Sequence, residues 1–315
     1  MPIWPIAVHA LAGSACGVAL WRHAGELRAT VVVKGSFRMV PDGPMDPIEP
    51  QAVLRADEHH SDSPAKSLKR SRELAPYRPQ CDVTLHGQAH APAGQAVPAA
   101  SARLALFRDD RGLVDRTVHV FGDRALGRDG VPGPPEPFTS MPLDYELAQR
   151  SDSNPNGVNP AKQAPNLVDE EQPDGAAGGF GPISRYAKLR RELLGGTDRK
   201  ALEADIAEVP EGFDWAYFQS APLAQQCDGL AGSEWVILDG LNAAKSRLAS
   251  QLPEIRAEAC VVALSPEGAE SIAADLPLRF VPIPLVADGL HIDADAAEVT
   301  VTWRGNVVVS SKQHL

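Results

Sequence analysis

Both ends of the chain are dominated by short runs in which apolar and polar residues alternate, the signature of strands with one covered face. Leu27 to Met39 joins a β-branched run to an alternating stretch, and Gly17 to Arg22 precedes it across His23-Ala24-Gly25, so the two segments are expected to pair as a hairpin. Cys81 to Gly87 alternates as well. So do Ala102 to Phe107 and Arg116 to Phe121, with Asp109-Asp110-Arg111-Gly112 as a turn between them. Strand character returns at Trp235–Leu238, Ala259–Leu264, Leu278–Val281 and Glu298–Trp303, then at Val307–Ser310 beyond a turn expected at Arg304-Gly305-Asn306. No repeat of fixed period is present.

Between these ends the patterning gives way to punctuation. Residues 122–182 hold 10 of the 28 prolines and 9 of the 26 glycines. Phe138, Met141, Tyr145 and Phe180 are set among them, which a bland linker would not carry. Long ordered loops in compact proteins usually serve function, so this stretch is expected to help recognise a partner. Helical signal is confined to two short, charged surface segments. Ile183 to Leu194 ends at Gly195-Gly196, and Asp198 to Ala207 follows with Asp198 as its N-cap.

The expected fold is therefore mainly β: antiparallel, sandwich-like sheets at both ends, an irregular Pro/Gly-rich middle and a few short helices. Residues 1–125 form an N-terminal β-rich part and 126–229 a loop-rich, short-helix segment. Residues 230–315 form a C-terminal β-rich part, able to make one compact unit with 1–125.

At 315 residues the chain is long enough for one large domain or two smaller ones. Its formal charge of -11 lacks the basic footprint that phosphate backbones require, which argues against nucleic acid. The one basic run, Lys66 to Arg72, reads as a solvated loop. Cys16, Cys81, Cys227 and Cys260 are scattered with no CxxC spacing, as expected of buried thiols in a reducing compartment rather than a disulfide framework. Ile6 to Leu20 is fairly apolar, but no Lys or Arg precedes Arg22 and Pro2, Pro5 and His9 interrupt it, so neither a secretory signal nor a membrane span is expected. A cytoplasmic protein follows.

The sequence carries little assembled chemistry. Asp57, Glu58, His59, His60 and Asp62 are the only dense set of metal-ligand types, yet neighbours in extended chain point apart. His86 and His90 lie in a strand context. GxSxG and GK[ST] motifs are absent, so neither a nucleophile elbow nor a phosphate loop is present, and no cofactor is implied. Phe213, Trp215, Tyr217 and Phe218 concentrate four of the 17 aromatic residues in six positions. This cluster reads either as a core anchor for the loops or as a partner-binding hot spot.

A set of phrases in fixed order carries a resemblance across nearly the whole chain. They are Arg78-Pro79-Gln80-Cys81-Asp82-Val83, Val120-Phe121-Gly122-Asp123-Arg124, Pro137 to Leu143, Asn154-Pro155-Asn156-Gly157, Pro165-Asn166-Leu167, Phe180-Gly181-Pro182-Ile183, Phe218 to Pro222 with Gln225-Gln226, and Trp303-Arg304-Gly305. Together they resemble a bacterial family of unknown function encoded beside type VI secretion genes for spike proteins, PAAR-type tips and toxins. The resemblance implies a non-enzymatic effector adaptor or chaperone that holds a secreted toxin and helps load it onto the spike. Phe138, Met141, Tyr145, Phe180 and Tyr217 are the expected partner-binding residues. The alternatives are a hydrolase-type enzyme in the loop region, with Asp82, Asp123 and Arg124 as its polar members, or a structural component of the spike.

Overall fold

The computed structural model describes residues 13–169, 178–254, 256–263 and 279–310. Residues 170–177 of the Pro/Gly-rich stretch, the N-terminal apolar run as far as residue 12, and Leu264 and Leu278 at the ends of two expected strands lie outside the described residues. In chain order the strands are β1 (Ala15–His23), β2 (Glu26–Arg38), β3 (Asp46–Ile48), β4 (Glu58–His59), β5 (Leu68–Arg70), β6 (Cys81–His86), β7 (Gln88–His90), β8 (Ala99–Arg108), β9 (Arg111–Phe121), β10 (Ser140–Pro142) and β11 (Leu167–Val168). After helices α1 (Lys188–Glu192) and α2 (Arg199–Leu202) come β12 (Ile206–Glu208), β13 (Gln226–Cys227), β14 (Trp235–Asp239), β15 (Arg247–Gln251), β16 (Ala259–Ala263), β17 (Arg279–Ile283), β18 (Val286–Asp293) and β19 (Glu298–Ser310).

Two sheets carry the fold. The larger runs β12-β1-β2-β19-β18-β6-β13, with β3 added to β2; the smaller runs β11-β9-β8-β14-β15. The β1–β2 hairpin forms as its pattern predicts, closed by Ala24 (φ 48°) and Gly25 (φ 80°). Positive φ at both central residues suits the twist of the flanking strands, and glycine meets that demand without strain. The hairpin β8–β9 forms likewise and runs longer than its alternating cores.

Both β-rich ends contribute to both sheets: β19 pairs with β2 along its whole length, and β14 pairs with β8. Inward residues interdigitate in one apolar core. Val33 and Phe37, Val83 and Leu85, Leu290 and Ile292, and Val299 and Val301 come from the larger sheet, facing Leu104, Leu106, Val118, Val120, Val236 and Leu238. Most pairings are antiparallel, but β6 runs parallel to β18 and β1 parallel to β12.

Two local expectations are corrected. Arg304-Gly305-Asn306 is no turn; β19 passes straight through it. A side chain at Gly305 would collide with the Pro284 carbonyl oxygen, so glycine serves close backbone approach there. The second helix ends at Leu202, and Ile206–Glu208 becomes an edge strand beside β1. Ala207 and Val209 then bury against Trp21, Leu202, Phe213 and Tyr217 in a second, smaller core. Asp198 does cap its helix, accepting from the Lys200 amide at 3.0 Å.

Candidate functional site

The outer face of the larger sheet is polar yet covered. Lys34 and Ser36 on β2, Asp82 and Thr84 on β6, and Thr300, Thr302 and Arg304 on β19 alternate with the inward apolar residues and are all buried. Desolvating such groups is costly, so each needs a partner. Lys34 Nζ donates to Glu73 Oε1 at 2.7 Å and to the Ala52 carbonyl at 3.2 Å. Burial pulls the Lys34 ammonium below its ordinary range, and Glu73 works against that shift. Asp82 accepts from Gln219 Nε2 at 2.6 Å and from the Ser220 amide and hydroxyl at 2.7 and 2.9 Å, with Arg78 at 3.4 Å. Arg304 pairs with Asp288 and donates to the Glu73 carbonyl at 2.7 Å. Apart from Asp288 on β18, these partners come from the irregular segments, which are thereby fixed onto the sheet.

The phrases of the Pro/Gly-rich middle do the same at the end of the sandwich. Asn154 Nδ2 donates to the Tyr145 and Gln149 carbonyls at 2.8 and 3.1 Å. Asn166 Nδ2 donates to the Phe121 carbonyl at 3.2 Å and to Asp123 Oδ1 at 2.9 Å. Gln225 Nε2 donates to the Val83 and Phe180 carbonyls at 2.8 and 2.9 Å, and Arg116 binds Asp169, Gln225 and the Gly179 carbonyl. Loop backbone that no strand satisfies is satisfied by buried amides instead.

A hydrogen-bonded chain also crosses the polar face. Asp293 lies 3.1 Å from His86 Nε2, His86 Nδ1 2.8 Å from His291 Nε2, and His291 Nδ1 2.9 Å from the Thr84 hydroxyl. With both rings neutral, Thr84 donates to His291, His291 to His86, and His86 to the Asp293 carboxylate. Burial, and after it the neighbouring His86, holds His291 well below the usual histidine range. The chain ends at a cavity of about 30 Å3 lined by Arg70, Glu73, Arg78, Asp82, Thr84 and His291. That space admits water but no organic substrate.

An opening of different character lies where the two sheets part. A groove of about 470 Å3 is lined by Phe37, Leu230, Leu252, Val286, Val301 and Trp303. Phe37, Val301 and Trp303 belong to the inward face of the larger sheet and Leu252 follows β15; these four are buried behind the opening, which Arg256 and Glu258 also line. The Leu230 amide donates to the Ala287 carbonyl at 3.0 Å and fixes one wall, while Val286 at the rim is 57% exposed. No sequence motif marks this groove, because its walls come from five separate parts of the chain.

The expected partner-binding residues divide. Phe138 and Met141 are partly exposed: Phe138 bridges to Val97, and Met141 sits opposite Ala89 in the β10–β7 pair. Tyr145, Phe180 and Tyr217 are buried, which takes them off the surface. Tyr145 donates to the Gly181 carbonyl at 2.5 Å, Phe180 lies in the main core, and the Tyr217 carbonyl accepts from Arg190 at 2.6 Å. The aromatic cluster packs as an anchor beside β1, with Trp215 and Trp21 ring centres 5.4 Å apart. Burial lowers the Arg190 guanidinium beneath it to about 10.

Other candidates disperse. Asp57 pairs with Arg185, His59 with the Lys66 carbonyl and His60 with Asp144, and among the described residues no group of three metal-ligand side chains converges. Asp123 is exposed, and Arg124 stacks on Phe121, so neither joins buried Asp82. The basic run is no solvated loop: Leu68 is buried, Arg70 faces Glu73, and Arg72 donates to the Leu74 carbonyl. Of the cysteines only Cys81 and Cys227 are buried, and Cys260 is exposed. Among the described residues no helix is long and apolar enough to cross a membrane.

No curated protein and no solved structure matches the chain. One family model does, over residues 24–304, a span that contains the smaller sheet, the larger sheet apart from β1 and the end of β19, the polar face and the groove. The chain therefore belongs to the bacterial family described as "Uncharacterized protein conserved in bacteria (DUF2169)".

Proposed function

We propose that this protein is a non-enzymatic, cytoplasmic adaptor of type VI secretion. It holds a toxin, or the segment joining a toxin to the spike or a PAAR-type tip, until loading. The observation that carries the reading is the groove at the sheet seam. An exposed opening into the apolar core, rimmed by Val286 and backed by Trp303, suits an extended client segment that buries two or three apolar side chains. The buried polar partners supply a rigid frame, so binding there costs little ordering of the adaptor itself. The hydrolase alternative draws no support from its polar residues, since Asp82, Asp123 and Arg124 each serve a separate structural contact.

Co-expression with a genetically adjacent toxin tests the proposal. The adaptor raises the toxin's soluble yield and co-purifies with it. A toxin equally soluble and equally secreted without this protein contradicts the reading. Appearance of the protein in culture supernatant with the spike favours the structural-component alternative.

A further inference from the structure

Two of the four cysteines, 146 residues apart in sequence, sit directly opposite one another in the antiparallel β6–β13 pair. Cys16 faces Val33 and Cys260 faces Pro282, so neither shares that arrangement. Opposed residues in an antiparallel ladder have Cα atoms roughly 4.5–5.5 Å apart, inside the range a disulfide spans. Both side chains lie in the main core, and the Cys81 thiol donates to the Asp82 carbonyl at 3.9 Å.

We propose that Cys81 and Cys227 are a redox pair, which a low-molecular-weight disulfide such as oxidised glutathione converts into a cross-strand disulfide fastening β13 to β6. The Cys227 thiolate attacks one glutathione sulfur, the glutathione S–S bond breaks, and one glutathione leaves as a thiol. The Cys81 thiolate then attacks the Cys227 sulfur of the mixed disulfide, and the second glutathione leaves. Two protein thiols lose two protons and two electrons; one glutathione disulfide is reduced to two thiols.

The division of roles follows from position. Cys227 is 7% exposed on a two-residue edge strand, which opens more readily than the interior of the sheet, whereas Cys81 is fully buried. Interaction with the Cys81 thiol opposite it, and beyond that the Arg108 charge, holds the Cys227 thiol below its ordinary range although burial opposes this. The Cys227 sulfur beside it, together with burial, pushes the Cys81 thiol well up. Cys227 is thus the attacking thiol and Cys81 the resolving one. The bond would tie the far end of the loop-rich segment, just past the Gln219, Ser220 and Gln225 contacts, to the strand those residues already grip.

The test equilibrates the reduced full-length protein with oxidised glutathione, blocks the remaining thiols by alkylation, and reads intact mass and linked peptides. The expected product has lost about 2 Da, links Cys81 to Cys227, reverts with dithiothreitol, and melts about 5 °C above the reduced form. Cys227→Ser forms no such link, and because that side chain lies at a sheet edge the variant keeps its fold even if Cys81→Ser does not. Alkylation of both Cys81 and Cys227 after oxidation overturns the proposal. So does a link to Cys16 or Cys260, or a bond that forms only in denaturant.

Discussion

The two faces of the larger sheet bury their side chains by opposite means. The inner face, with Val83, Leu85, Leu290, Ile292, Val299 and Val301, is apolar and gains stability from area removed from water. The outer face, with Lys34, Asp82, Thr84, Thr300, Thr302 and Arg304, is buried just as thoroughly, but there Lys34, Asp82 and Arg304 are held by ion pairs and hydrogen bonds and Thr84 by His291. A buried pair gains little net stability over apolar residues of the same volume, but losing one partner is expensive. The inner face therefore makes the sandwich stable, and the outer face dictates where the irregular segments dock.

This contrast is broken most sharply at Lys34. Lys34→Met leaves Glu73 buried with the Leu54 amide and Arg70, 3.8 Å away, as its remaining partners, and urea unfolding is expected to show a loss of about 3 kcal/mol. Combining it with Glu73→Leu removes both charges and should recover at least half of that loss. A double variant as unstable as the single would mean that the pair is a net stabiliser, contrary to the account. On the inner face, Leu290→Ala has no partner to strand and costs about 2–4 kcal/mol, with no second substitution able to rescue it by charge removal.

Smaller effects sharpen the comparison. Asn154→Ala strands the Gln149 carbonyl and leaves the Tyr145 carbonyl with the Ala148 amide, and should cost about 1–2 kcal/mol, with proteolysis entering the 143–166 region first. The pH dependence has a definite sign. His291 is held neutral in the folded protein, while the unfolded chain takes up its proton below about 6.5. Stability is thus fully present above that value and falls as pH drops through it. Burial likewise pulls His60 down, so it adds the same sign, and His291→Asn should flatten only part of the slope in urea midpoints. Burial opposes ionisation of Asp293, but hydrogen bonds from His86 and the Ala296 amide outweigh it and leave the group at about 2. A further loss follows as pH falls from about 4 towards 2.

Local pattern was enough to read the β1–β2 and β8–β9 hairpins, since each needs only a turn and two alternating runs. It could not place β18 beside β6 in parallel, because that pairing joins positions about 200 residues apart. The polar face was invisible for a related reason. Lys34, Thr84 and Thr302 look like the solvent side of an alternating strand, and only tertiary contacts reveal the segments that cover them. Arg304-Gly305-Asn306 misled because Gly with Asn marks turns in general, whereas here the glycine admits the Pro284 carbonyl. Tyr145 and Phe180 mark the Pro/Gly-rich stretch as more than a linker, but their aromatic area, like that of Tyr217, is spent on holding the loops in place. The groove had no linear signal at all.

The smallest expected structural effect belongs to the most telling substitution. Val286→Glu places a charge on an exposed rim residue and should leave the melting temperature unchanged. The direct test of the adaptor proposal is co-purification of the genetically adjacent toxin with the wild-type protein and with this variant, quantified side by side. The account predicts a stable complex with the wild type and recovery reduced about tenfold with Val286→Glu. Equal recovery by both proteins would contradict a role for the groove, and recovery by neither would contradict the adaptor itself.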